Sequence, residues 1–227
     1  MKKNLFVSFA SLMLVVFTFF ACIKEVTKKD DGNLSKDIQN IVPDTTLQKI
    51  INLGMVVNKG TTPTNLVNIY KVSPYILKSS NISSDYAGKT FSDYKFKLYD
   101  QDNAKLTIKL DYVNGPETGT GLGGFIAGSG NDFSVFVKVH TLVSNSPADI
   151  LFVLSGTITS GGINNFIMSN YMLDNYGNTS GYYINNGQGR VIYDSDKFSP
   201  IVTSLQAITN NDNLNIMGMS GAFEVIK

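Results

Sequence analysis

Between Tyr94 and Tyr112 apolar and polar residues alternate with a period of two. Tyr94, Phe96 and Leu98 are spaced by Lys95 and Lys97; Leu106, Ile108, Leu110 and Tyr112 are spaced by Lys105, Thr107, Lys109 and Asp111. Successive side chains of an extended strand point to opposite faces, so this pattern builds half-buried strands and excludes an amphipathic helix. Asp100-Gln101-Asp102-Asn103, between the two runs, carries turn residues and makes them a hairpin. A second hairpin is expected from Gly124–Ala127 and Phe133–Val143, in which Phe133, Val135, Val137 and Val139 share one face. A third joins Asp149–Ile158, apolar enough for a central strand, to Asn164–Leu173 through Ser160-Gly161-Gly162. Shorter alternations at Gly189–Tyr193, Thr203–Ile208 and Leu214–Val225 add two or three further strands.

Sequential hairpins imply an antiparallel meander. About eight strands in one open sheet would leave long edges bare, so the fold class is mainly β, with a lipocalin-like up-and-down barrel favoured over a β-sandwich. Eleven Tyr, fourteen Phe and twenty Gly with no Trp suit strands joined by tight turns. One helix is expected near the start of the domain. Pro43-Asp44-Thr45-Thr46 offers capping chemistry, Leu47, Ile50 and Ile51 recur at helical spacing, and Gly54 supplies the stop. At about ten residues this helix needs a sheet to pack against.

The first 21 residues read as a signal peptide. Lys2 and Lys3 are followed by an apolar run from Leu5 to Phe20, too short for the roughly 20 residues of a membrane span. Phe19 disfavours ordinary signal peptidase cleavage after Ala21, where a small residue is wanted at that position. Phe19-Phe20-Ala21-Cys22 instead resembles the lipobox of bacterial lipoproteins in the looser form of the Bacteroidota, which implies lipidation at Cys22 and a membrane anchor. Cys22 is the sole cysteine, so the folded region has no disulfide. Residues 22–43 read as a flexible tether, in which Lys29-Asp30-Asp31 is similar to the export signal of surface lipoproteins of that phylum. Residues 44–227 then form a single β domain.

The blocks Gly123–Val135 and Asn186–Asp194, and Leu53-Gly54-Met55 leading to Ser73-Pro74, resemble segments of Bacteroidota lipoproteins. That resemblance implies a location in the cell envelope and no particular chemistry, while the lipobox and export-signal likenesses imply the outer membrane and exposure at the cell surface. Net charge is +1 and charged residues are 16% of the chain, which disfavours a nucleic-acid partner. The function expected is non-enzymatic binding of a glycan or a small apolar molecule. An accessory subunit that grips an envelope protein by a sheet edge, or a pilus-like structural subunit, is the alternative; a hydrolase ranks below both.

Individual motifs sharpen this little. Gly119-Thr120-Gly121-Leu122-Gly123-Gly124 spells a dinucleotide fingerprint, but the residues after it alternate as a strand where the motif needs a helix, so it reads as a strand connection. His140 is the only histidine and is expected to face solvent on a strand, with no second histidine or cysteine to complete a metal site. The acidic pairs Asp100/Asp102 and Asp194/Asp196, and Asp212 beside Asn213, read as turn formers. No cofactor, metal or catalytic residue is expected. The candidate ligand contacts are Tyr176, Tyr182 and Tyr183. They lie in a stretch from Tyr171 to Tyr193 where aromatic rings mix with Asn175, Asn178, Asn185, Asn186 and Gln188.

Overall fold

A computed structural model describes residues 34–206, apart from residues 116, 144, 145 and 180. Cys22, the leader, Asp212 and the expected strand at 214–225 lie outside the described residues. Two helices, α1 (Lys36–Ile41) and α2 (Asp44–Asn52), come first. Twelve strands follow: β1 (Thr61–Pro63), β2 (Asn68–Val72), β3 (Tyr75–Ser80), β4 (Thr90–Phe91), β5 (Tyr94–Asp102), β6 (Thr107–Asn114), β7 (Glu117–Gly130), β8 (Asp132–Val143), β9 (Ser146–Ile158), β10 (Gly162–Asp174), β11 (Gly189–Asp194) and β12 (Phe198–Pro200).

The protein is mainly β, and all twelve strands belong to one sheet in the order β2-β5-β6-β7-β8-β9-β10-β11-β3-β4. β5 to β10 are the expected meander, each antiparallel to the next. The sheet as a whole is mixed, because β1 joins β7 in parallel. β2 and β3 sit toward opposite ends of that strand order although only two residues, Ser73 and Pro74, separate them in the chain. β12 pairs with the start of β10, and just beyond it Ile201 bridges to Tyr70 of β2 while the Val202 amide donates to the Ile69 carbonyl at 2.9 Å.

The alternation read from the sequence is the burial pattern. Tyr94, Phe96, Leu98, Ile108, Leu110, Tyr112, Phe133, Val135, Val137 and Val139 all enter one buried cluster. At its centre the rings stack on one another: Phe96 lies 5.1 Å from Phe166 and 5.3 Å from Tyr70, and Tyr94 lies 5.4 Å from Tyr75 and 5.7 Å from Tyr112. Such tilted and offset pairs add to the burial of the rings themselves. Gly119 makes this possible on β7, since any Cβ there would overlap the Tyr112 ring.

A second cluster covers the other face of the middle strands. Ile38, Val42, Ile50 and Met55 pack on Ala127, Phe136, Leu151, Val153, Ile167 and Val191. β9 is therefore buried on both faces, which explains its unbroken apolar sequence from Ile150 to Leu154. α2 matches the expected helix, with Ile50 inward and Gly54 just beyond it at φ 88°.

Three readings need correction. The stretch expected as a tether is folded from residue 34 on: Ser35 caps α1, its Oγ accepting from the Ile38 amide at 3.3 Å, and Leu34, Ile38 and Val42 are buried. Residues 34–43 belong to the fold because α1 supplies apolar cover that the nine-residue α2 alone cannot. The first hairpin turn lies at 103–106, since Asp100 takes a positive φ of 51° and lets β5 run on to Asp102. Residues 203–206 form no strand. The one bridge in this region is at Ile201, and the chain then runs outside the sheet, where the Lys95 ammonium holds the Gln206 carbonyl at 2.9 Å.

Candidate ligand-binding groove

β10 changes partner partway along its length. Gly162–Asn164 pair with β12, the register slips between Asn164 and Ile167, and Ile167–Tyr171 pair with β11. Asn165 absorbs the slip at φ 53° and donates its amide to the Lys197 carbonyl at 2.9 Å. Bulges re-aim side chains and end pairings. Here the bulge opens a seam between β11 and β12, and a groove of about 450 Å³ lies along it. Leu77, Phe166 and Ile167 line it with apolar surface; Asn165, Tyr193, Asp194 and Lys197 supply polar groups.

Asp194, the last residue of β11, is 1% exposed. Its Oδ2 accepts from the Ser199 hydroxyl at 2.6 Å, which ties β11 to β12 across the seam. Its Oδ1 is buried and makes no hydrogen bond of good geometry, while the Ser73 amide and the Asp196 side chain also act on the carboxyl. Burial first, and then the neighbouring Asp196, push the Asp194 carboxyl up to about 6. A carboxyl raised in the folded state favours folding below its unfolded value near 3.8, and that stabilisation is lost as pH rises through about 6. Wild type is therefore expected to lose up to about 3 kcal/mol, relative to Asp194→Asn, between pH 4 and pH 7. Denaturation of both proteins across that range checks it; a constant difference would place Asp194 in contact with water.

Two residues singled out in the sequence, His140 and Tyr176, meet elsewhere, at Asp149. Asp149 on β9 accepts from His140 Nδ1 at 2.7 Å, from Lys138 Nζ at 2.8 Å and from the Tyr176 hydroxyl at 3.3 Å. Burial pushes Asp149 up, but Lys138 and His140 outweigh it and hold the carboxyl below its ordinary value. His140 is exposed, as expected, and its Asp149 partner across the strand pair was not foreseen.

The three tyrosines divide. Tyr176 is 51% exposed, whereas Tyr182 is half-buried against the main core and Tyr183 is buried with its hydroxyl donating to the Ser146 carbonyl at 2.9 Å. The expectation of three tyrosines forming one ligand surface fails at Tyr183. The asparagines are committed to the loop itself. Asn178 clamps both the amide and the carbonyl of Tyr183, the Asn175 side-chain amide donates to the Ile184 carbonyl, and Asn186 caps the Asn175 amide. This is turn chemistry.

The remaining motifs are structural as well. Asp102 accepts from the amides of Ala104 and Lys105, and Asp100 pairs with Lys109 at 2.9 Å. No metal-ligating cluster occurs among the described residues. The Gly119–Gly124 run lies inside β7, part of a continuous strand, where a connection between strands was expected. No helix among the described residues is long and apolar enough to cross a membrane. Comparison with protein-family models, curated proteins and solved structures finds no match to this chain.

Proposed function

We propose that this chain is a lipid-anchored protein of the cell envelope, tethered to the outer membrane through Cys22, whose β domain closes into a barrel and binds a saccharide in the seam groove without chemical turnover. Three features support closure: β12 reaches β10 on one side, residues 201 and 202 reach β2 on the other, and two residues join β2 to β3. Closure removes free edges from the sheet. The lipocalin analogy goes no further, because stacked rings occupy the centre of the core. The ligand is therefore assigned to the outside.

The observation that carries the binding assignment is the unpartnered Asp194 Oδ1 beside the groove. A buried acceptor without a hydrogen bond is costly, and a sugar hydroxyl that displaces its cover would satisfy it, with the exposed Asn165 side chain and the Tyr193 ring lining the groove. A sheet-edge partner has less support, since β4 and the Lys89 carbonyl already cover the outer edge of β3.

The test is glycan-array binding by the Cys22→Ser chain. Asp194→Asn and Asn165→Ala are expected to weaken binding about tenfold or more, while Tyr176→Ala binds like wild type. A wild type that binds no saccharide, or loss confined to Tyr176→Ala, overturns the assignment. Mass spectrometry of the mature N-terminus tests the anchor; an unacylated terminus elsewhere overturns it.

A further inference from the structure

The pairing of β7 with β8 stops early. Its last partners are Gly121 and Val139, yet β7 reaches back to Glu117 and β8 runs on to Val143. Among the described residues, each strand here pairs only with its outer neighbour: Glu117–Thr120 with β6, and His140–Val143 with β9. The register slips between Gly121 and Gly124, and beyond Gly121 no β7–β8 pairing occurs among the described residues. Alternate N–H and C=O groups of a strand point to opposite sides, so each of these segments turns toward the other a row of backbone groups with no strand partner among the described residues. Free edges of this kind take up another strand.

The course of the chain after β12 points to the occupant. Past the bridge at Ile201, the chain crosses β5, where Lys95 holds the Gln206 carbonyl, and reaches a groove that Leu205 and Gln206 share with Asp111, Thr118 and Thr120. Gln206 thus lies beside the free stretch of β7. Residues 207–227 follow, among them Met217, Met219, Phe223 and Val225 at alternating positions, with Leu214 and Ile216 ahead of them. Twenty-one residues allow a loop and a strand, because an extended chain advances about 3.3 Å per residue and the free edge is only four residues long.

We propose that the C-terminal segment of this same chain, within residues 214–225, adds as a β-strand to the open edges of β7 and β8. It completes the sheet where the β7–β8 pairing ends, and its apolar positions cover the core at that end.

Two measurements on the Cys22→Ser chain, which has no native thiol, test this. Amide hydrogen exchange at 117–121 and 139–143 is expected to be about tenfold or more slower in the full chain than in one ending at Gln206. Because the truncated chain can fail to fold, Thr120→Cys is also combined in turn with Met219→Cys, Ser220→Cys, Phe223→Cys and Glu224→Cys in the full chain. At least one combination is expected to oxidise to a disulfide within one chain, with a yield independent of protein concentration. Equal exchange in the two chains together with no disulfide overturns the proposal. Disulfides that form only between copies overturn it too, assigning the edge to a second molecule.

Discussion

Phe96→Ala is expected to destabilise the protein by about 3–5 kcal/mol, because the ring is fully buried and the space it leaves has rigid walls. Phe166 at 5.1 Å, Tyr70 at 5.3 Å and Tyr94 at 5.7 Å bound that space, and rings held on separate strands cannot close on it without moving the sheet. Urea denaturation should show a lower midpoint with an unchanged slope. Lys97→Ala, one residue along on the opposite face, should shift stability by about 0.5 kcal/mol or less. Equal costs at the two positions would mean that the aromatic cluster is loosely packed.

Asp85→Ala should cost a similar amount, about 3–5 kcal/mol, for an electrostatic reason. Arg190 on β11 is 1% exposed, and its Nε and Nη2 reach the Asp85 carboxylate at 2.7 Å and 3.1 Å. Burial works to raise Asp85, but the hydrogen bonds and charge of Arg190 hold it below the ordinary carboxylate range. Taking away the carboxylate strips a buried guanidinium of its counter-charge, and the Phe91 ring 5.6 Å away is no substitute. The double variant Asp85→Ala/Arg190→Met should recover part of the loss, since the buried guanidinium is then gone as well; Lys89, 3.5 Å from the Asp85 carboxylate, still loses that partner. If the two losses simply add, the pair is not coupled, and the segment from Asn81 to Lys89 is held by other contacts.

How far the sequence discloses this fold depends on the range of each signal. β5 and β6 are legible because one side faces core and the other solvent, and period-two burial writes that directly into residue order, while β9, covered on both sides, is legible as an unbroken apolar run. α1 has six residues and one fully buried side chain, Ile38, which is too little for a periodic pattern. β3, β4 and β12 are placed by partners far off in the chain: β3 pairs with β11 more than a hundred residues away, a relation that local alternation does not encode. The groove was missed for the same reason. Asp194 was visible as half of an acidic pair, but its burial depends on β10 exchanging β11 for β12 at a bulge. Conversely, the Tyr/Asn stretch looked like a binding surface because aromatic rings and amides serve both purposes; only the hydrogen bonds of Asn175 and Asn178 reveal that the amides are spent on the loop.

The seating of α1 on the outer wall of the sheet also sets a leash length. With Leu34 and Ile38 packed down, only residues 22–33 separate the proposed acyl anchor from the folded body. Twelve residues at full extension span about 40 Å, close to the thickness of a bilayer with its headgroups. A tether that ran to residue 43 would nearly double that radius. An anchor at Cys22, as proposed, would confine the domain to a thin shell over the membrane, and a ligand would have to come down to that shell to be held.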